Sequence, residues 1–450
     1  MPIEKIKSIF SDSSLSELDI DLQINLVDHF EIARRLSELS PEEKIRVFQG
    51  LDANIKRQEL LYETDQDSRL EIQESLEPDT LAQFLKDMPE DEATDILQEH
   101  SKEEREEILE KMAPREAGVI KDLITYEEET AGGMMVKSYN KATPDQTAAD
   151  ILLKLRIQFN QDHPPYFYVT SSDGKLLGFF KLRDLLNVPA NAKAITFIKQ
   201  KVPKVELTDS CEKVATIMDH EALSSLPVVD QNNVLQGIVT FDDVIRMMQD
   251  IASEDIYTMV GTAKVDPFAK RTMRKVFIRM PWLLTTFVGG LISAFILATY
   301  QNILAEFATM ILFIPFVLGL AGNVGLQGGT VIVRGLATGD IQEDNIRKVL
   351  RSELAVGLIN GIIFGILCGG LIAFSSEFIS TITPMVGLAV GVGIFLAVGF
   401  TTLIGSFMPM VFIKLKIDPA ISIGPIVTIA NDIIGLFIYL ATATLLFATL

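Results

Sequence analysis

The chain has 450 residues, 48% of them hydrophobic, and a formal net charge of −20. That average hides two unlike halves: residues 1–270 hold 30 basic and 52 acidic residues, whereas 271–450 hold 10 and 8. An acidic half of this size argues against nucleic acid and anionic lipid as partners, and favours divalent cations or a basic protein surface.

The N-terminus from Met1 to Phe10 is mixed and charged, so no cleavable signal peptide is expected. From about residue 15 to 128 the pattern is helical throughout. Helix starts recur at Ser40-Pro41-Glu42-Glu43, Glu77-Pro78-Asp79, Met88-Pro89-Glu90-Asp91, Ser101-Lys102-Glu103-Glu104 and Ala113-Pro114-Arg115-Glu116. Proline at the first helical position and acids in the first turn suit the positive end of a helix. The spacing predicts a stack of short antiparallel helices, a superhelical scaffold over 1–130.

Residues 131–250 contain an internal repeat. Val169–Leu185 reads VTSSDGKLLGFFKLRDL and Val228–Val244 reads VVDQNNVLQGIVTFDDV, with Gly178 and Gly237 59 positions apart. Each copy reads as strand, turn, strand and helix start, after a preceding helix. This resembles a tandem cystathionine-β-synthase (CBS) pair, an α/β regulatory module that often binds adenosine nucleotides. The resemblance implies ATP as a candidate ligand, with Thr240 and Asp243 as the ribose-binding candidates. The first copy has Lys181 where that threonine would stand, and a purely structural pair is the alternative. From Asp242 to Ala263 the period is helical again, ending at Gly261; a connecting helix is expected over 251–275.

Beyond it the apolar stretches are long. Pro281–Ala305, Phe307–Val333 and Leu354–Ser376 carry essentially no charge; a fourth begins near Met385, and a fifth runs from Pro419. A span needs about 20 apolar residues, so 276–450 is expected to be a five-helix α transmembrane domain. Basic residues lie before the first span, between the second and third, and between the fourth and fifth. The other loops hold Glu306 and Glu377 but no Lys or Arg. Basic loops face the cytoplasm. A multi-pass plasma-membrane protein is expected, with 1–270 cytosolic and the C-terminus outside.

Asp432 is the lone charge between Pro419 and Leu450. A carboxylate at membrane depth is costly and usually marks an ion or proton path. It lies 14 residues past Asp418, roughly 21 Å along a helix, near the middle of a ~30 Å core. Thr428 precedes it by one turn on the same face, and Asn431 points about 100° away. Gly424-Pro425 breaks the helix, which is tolerated only where protein or a water-filled cavity satisfies the freed carbonyls. In the second span Gly319, Gly322, Gly325, Gly328 and Gly329 allow close helix approach. Asn323 and Gln327 share one face and could bond across helices or face an ion.

Three stretches resemble the MgtE family of magnesium channels: Tyr126–Met135, Pro315–Thr338 and Asp418–Tyr439. Domain order and span count agree, so the resemblance covers nearly the whole chain. It implies a homodimeric Mg2+ channel with its central ion site at Asp432, in a pore between two subunits, and contacts at Thr428 and Gly424. Asn323 is a further pore candidate. Related sequences often carry asparagine at the Gly424 position, so a side-chain ligand is missing here and ion selectivity is open among Mg2+, Mn2+, Co2+ and Ni2+. The resemblance also implies that cytosolic acids sense Mg2+ and close the pore; the candidates are Asp91, Asp95, Asp242, Asp243, Asp250, Glu254 and Asp255. Arg246 and Ile251 stand where the family often has acids, so fewer metal bridges and weaker feedback are expected.

A coupled divalent-cation transporter and a membrane-anchored metal- or nucleotide-responsive receptor are the competing classes. An enzyme is the least expected. His29, His100, His163 and His220 show no pairing that suggests a catalytic metal or triad, and Cys211 and Cys368 lie in different halves.

Overall fold

A computed structural model describes residues 2–11, 16–158, 165–263, 272–301, 308–341, 345–379 and 382–448. His163 lies outside the described residues. The chain divides into two compact units at the Gln249–Asp250 junction, and each is described by itself.

The first unit opens with short helices from Pro2–Ser11 to Pro114–Leu123. Their starts are fixed by local chemistry. Ser40 and Ser101 accept from the amides of Glu43 and Glu104, whose carboxylates return to the serine amides. This reciprocal cap satisfies two otherwise orphaned donors. Pro41, Pro78 and Pro114 occupy first-turn positions, where the missing amide hydrogen costs nothing. One continuous apolar core runs through the stack, including Ile32, Leu36, Phe48, Leu60, Ile72, Leu85, Ile96 and Leu109.

Two matching three-stranded sheets follow. In the first, β1 (Lys141–Ala142) runs parallel to β2 (Tyr166–Thr170), which pairs antiparallel with β3 (Leu176–Lys181). In the second, β4 (Val205–Glu206), β5 (Ser225–Val229) and β6 (Leu235–Thr240) repeat that order and those directions. The copies exchange equivalent bonds: Leu176 donates to the Asn233 carbonyl and Leu235 to the Gly174 carbonyl. Tyr168 and Ser225 join hydroxyls at 2.5 Å in the buried interior. Among the described residues the two cysteines are free and buried.

A helix then runs unbroken from Phe241 to Met259 and so crosses from the first unit into the second. Gly261 follows at φ +75°, the left-handed stop that glycine adopts without a Cβ penalty.

In the second unit, five helices among the described residues are long and apolar enough to cross a membrane: Thr272–Thr299, Ala308–Ala337, Ile346–Ser375, Pro384–Lys414 and Pro419–Ala448. The first begins nine residues before the expected Pro281, which it absorbs as an internal proline. Membrane helices tolerate this because neighbours and local adjustments satisfy the freed carbonyl. Small residues set the packing. A Cβ on Gly325 would lie 3.0 Å from the Thr401 carbonyl oxygen, and one on Gly405 would overlap the Gly325 carbonyl. The second and fourth spans therefore meet backbone to backbone, the close approach expected of small-residue interfaces in lipid.

Candidate functional site

The fifth span is not one regular helix. A tight turn over Pro419–Ser422 is capped by Asp418, whose carboxylate accepts from the Ala420 amide at 2.7 Å. An α-helix over Gly424–Ala430 then widens into a π turn over Asn431–Gly435, and α-helix resumes at Leu436. Asp432 therefore sits within the π turn. Such single-turn bulges occur mostly at functional positions, because they re-aim side chains and release backbone groups.

Three neighbouring spans hold that turn. The Asn431 amide donates to the Leu318 carbonyl at 2.9 Å, and its oxygen accepts from the Thr401 hydroxyl at 3.2 Å. This ties the second and fourth spans to the fifth. Ser293 of the first span donates to the Asp432 carbonyl at 3.0 Å. Two turns on, buried Tyr439 donates to the Met310 carbonyl at 3.0 Å. The backbone of Asp432 is thus fixed while its side chain remains only half-buried.

Thr428 is exposed on the single chain; its hydroxyl donates to the Gly424 carbonyl at 2.8 Å. Asn323 and Gln327 are exposed too. Of the two roles expected for these amides, bonding across helices within the chain is not seen: that face of the second span points outward, while Val324, Gly325, Gly328 and Gly329 point into the bundle. Sequence reasoning missed Asn431 as an anchor, although a buried amide beside an intramembrane acid was a visible signal.

The candidate sensing acids separate into those that meet and those that stand apart. In the first unit Asp91, Glu92 and Asp95 of the helix Glu90–Gln98 gather with Asp243. Asp91 is 4% exposed, and its Oδ1 has no hydrogen-bond partner. Burial and then the Asp243 charge hold its carboxyl well above the usual carboxylate range. Burial pushes Asp95 up to about 7, with Glu128 adding to the effect, and Glu92 up to about 7 against the pull of Arg246. Asp243 is raised to about 6 by burial, opposed by its bond from the Thr240 hydroxyl. Crowding and desolvation disfavour the charged form of these carboxylates. Among the described residues no three of them converge as a ready-made set of metal ligands. Asp242 is exposed. Asp250, Glu254 and Asp255 belong to the second unit, on the later turns of the connecting helix.

Arg246, which stands where the resemblance implies an acid, makes contacts of its own. Its Nη2 lies 3.2 Å from Glu63 and its Nη1 3.6 Å from Glu92, and its guanidinium covers the Tyr62 ring at 4.5 Å. Tyr62 in turn donates to Asp95 at 3.2 Å.

In the CBS pair, Thr240 and Asp243 are bonded to each other at the end of β6. In the first copy the Lys181 amide donates to Asp184 at 2.9 Å, and its ammonium lies 5.2 Å from the Tyr166 ring centroid. The two copies thus share a strand order but differ at this corner, where the first enters a short 3-10 helix over Leu182–Asn187 and the second the long helix Phe241–Met259.

An apolar five-span unit with an anchored carboxylate, coupled in one chain to an acidic soluble part, defines a multi-pass transporter of divalent cations. Residues 314–442 match the divalent cation transporter domain of MgtE, 27–129 the MgtE intracellular N domain, and 193–250 a CBS domain. The magnesium transporter MgtE of Thermus thermophilus is 32% identical over 337 residues, covering 74% of this chain and 73% of that one. The Enterococcus faecalis magnesium transporter MgtE is 31% identical over 332 residues, 73% and 72% of the two chains. A crystal structure of the cytosolic domain of the Mg2+ channel MgtE in complex with ATP superposes with a TM-score of 0.50 at 25% identity, covering 55% of this chain and 99% of that one. The chain belongs to the MgtE family of magnesium transporters.

Proposed function

We propose that the chain forms a homodimeric Mg2+-permeable channel in the plasma membrane. It imports the ion down its electrochemical gradient and closes when cytosolic Mg2+ rises. The observation that carries this reading is the anchored π turn at Asp432. Its carbonyl is held by Ser293 and its neighbour Asn431 by the second and fourth spans, which fixes the place of a half-buried carboxylate.

Magnesium holds six oxygens in near-octahedral geometry and sheds water reluctantly. One carboxylate from each of two subunits can hold the hydrated ion through its waters. Binding of that strength still permits exit, which conduction requires. The exposed Thr428, Asn323 and Gln327 supply polar surface at membrane depth, and a second copy of the chain would cover it. Gly424 contributes a backbone carbonyl and no side chain. Mn2+, Co2+ and Ni2+ meet the same oxygen donors, so selectivity rests on hydration rather than on a tight cage.

The basic residues at the ends of the spans support a cytosolic first unit and an external C-terminus. In the closing step, Mg2+ neutralises Asp91, Asp95 and Asp243, and the connecting helix with Asp250, Glu254 and Asp255 presses on the pore mouth. ATP is proposed at the second CBS copy through Thr240 and Asp243. Asp243 would then serve nucleotide and metal together, so ATP should shift the Mg2+ level that closes the pore.

Mg2+ flux into proteoliposomes, compared for the native chain and Asp432→Ala, tests the central claim. Flux in the native chain and its loss in the variant are expected; equal flux from both would sink the proposal.

A further inference from the structure

We propose that Arg246 is a built-in cation that clamps the helical domain onto the CBS pair without metal, so that the two stay packed when Mg2+ is removed. The inference rests on the reading that the acids of this face sense Mg2+, and it changes what that sensing consists of.

Arg246 lies on the helix Phe241–Met259, one turn after Asp243, and leaves the CBS pair at its C-terminal end. Its side chain meets two helices of the other domain. Glu63 and Tyr62 close the helix Asn54–Glu63, and Glu92 lies in the first turn of Glu90–Gln98. The guanidinium bridges both carboxylates and lies on the tyrosine ring between them. Arginine suits this place: its planar fork reaches two carboxylates while its face stacks on an aromatic ring. Burial works against its charge, but Tyr62, Glu63 and Glu92 overcome that cost and hold it above its ordinary value.

A second contact acts beside it and also needs no metal. Glu90 accepts from the amides of Lys137 and Ser138 at 2.6 and 3.0 Å and from the Ser138 hydroxyl at 3.0 Å. Lys137 is paired with Asp122.

A free cation leaves its site when its concentration falls. A tethered one keeps an effective concentration on the order of millimolar or more and cannot leave. Arg246 therefore neutralises the Glu63–Glu92 side of the acidic face permanently. Asp91, Asp95 and Asp243 remain for the ion, and among the described residues the buried Oδ1 of Asp91 has no hydrogen-bond partner. Domain separation then cannot be the whole response to low Mg2+ in this chain. The metal acts on a pair of domains already in contact.

The test uses the full-length chain in nanodiscs, with spin labels at Glu107→Cys and Asp173→Cys, both exposed positions. The label distance is measured in EDTA and across a MgCl2 titration, for the native background, Arg246→Met, and the charge exchange Arg246→Glu with Glu63→Arg and Glu92→Arg. The native background should keep one short distance in EDTA. Arg246→Met should lose packed population in EDTA by about tenfold or more, as expected for removing one member of a half-buried ion-pair group. The charge exchange should recover the short distance, which separates a lost clamp from a misfolded chain. A native background that opens in EDTA, or an Arg246→Met chain that stays packed there, overturns the proposal. The MgCl2 arm bears on the sensing reading alone. If added Mg2+ fails to restore packing in Arg246→Met, metal sensing at Asp91, Asp95 and Asp243 fails while the clamp stands.

Discussion

The carbonyl oxygen of Met259 occupies the space that a Cβ on Gly424 would need. The end of the connecting helix and the start of the helical part of the fifth span therefore touch backbone to backbone. Around them Met259 packs against Val333, Ala420 and Ile423. A Cβ on Gly261 would lie 2.7 Å from the Pro425 ring, so the left-handed stop is also pressed against the same turn.

Any side chain at position 424 must push this helix end away, because the obstructing atom is backbone and cannot rotate aside. Gly424→Ala is expected to keep its spans intact and to loosen closure. Proteoliposome flux should persist in the variant at Mg2+ levels that silence the native chain. Closure at the same Mg2+ level would show that the Met259 contact plays no part in gating.

Asn431 is expected to matter for stability as well as transport. Asn431→Ala removes one bond to the second span and one to the fourth, each worth about 0.6–1.7 kcal/mol within a membrane bundle. The thermal midpoint in detergent should fall, and flux should fall with it while Asp432 is unaltered. An unchanged midpoint would mean that the π turn is held by packing alone.

The acidic face predicts a pH response of definite sign. Asp95 and Glu92 stand near 7 and Asp243 near 6 in the packed state, against ordinary values of 3.8 and 4.5. Such groups hold protons in the packed state that they release when exposed. Packing is therefore strongest below about 4, weakens as pH rises to about 7, and changes little above. The groups facing one another are Asp91, Glu92, Asp95, Asp243, Glu63, Glu128, Tyr62, Arg69 and Arg246. In Arg246→Met without Mg2+, the short label distance should be more populated at pH 6 than at pH 8. With Mg2+, the midpoint should move to higher concentration at pH 6, because protons compete for the ligands. A midpoint independent of pH would exclude these carboxylates as the metal site.

Much of this was legible from local signals. Prolines and acids marked the starts of the first unit's short helices because capping is decided within four residues. The repeated Gly178 and Gly237 announced two equivalent sheets, and charge-free runs announced the spans. What could not be read depended on which faces meet. Arg246 looked like a missing acid, because its partners Glu63 and Glu92 lie more than 150 positions earlier in the chain. Asn323 could have bonded across helices or faced an ion; the helix turns Gly325, Gly328 and Gly329 inward and the amide out. The first span began early because a proline inside a membrane helix is no barrier.

The wide turn from Asn431 to Gly435 amounts to one residue slipped into an otherwise regular coil. Deleting a single apolar neighbour, Ile433 for example, would let the coil close up into ordinary α-helix, with Tyr439 still in step but the side chains within the turn re-aimed. The acid would survive in the sequence while its direction was lost. Length across these few positions is thus as much a requirement for transport as the identity of the acid itself.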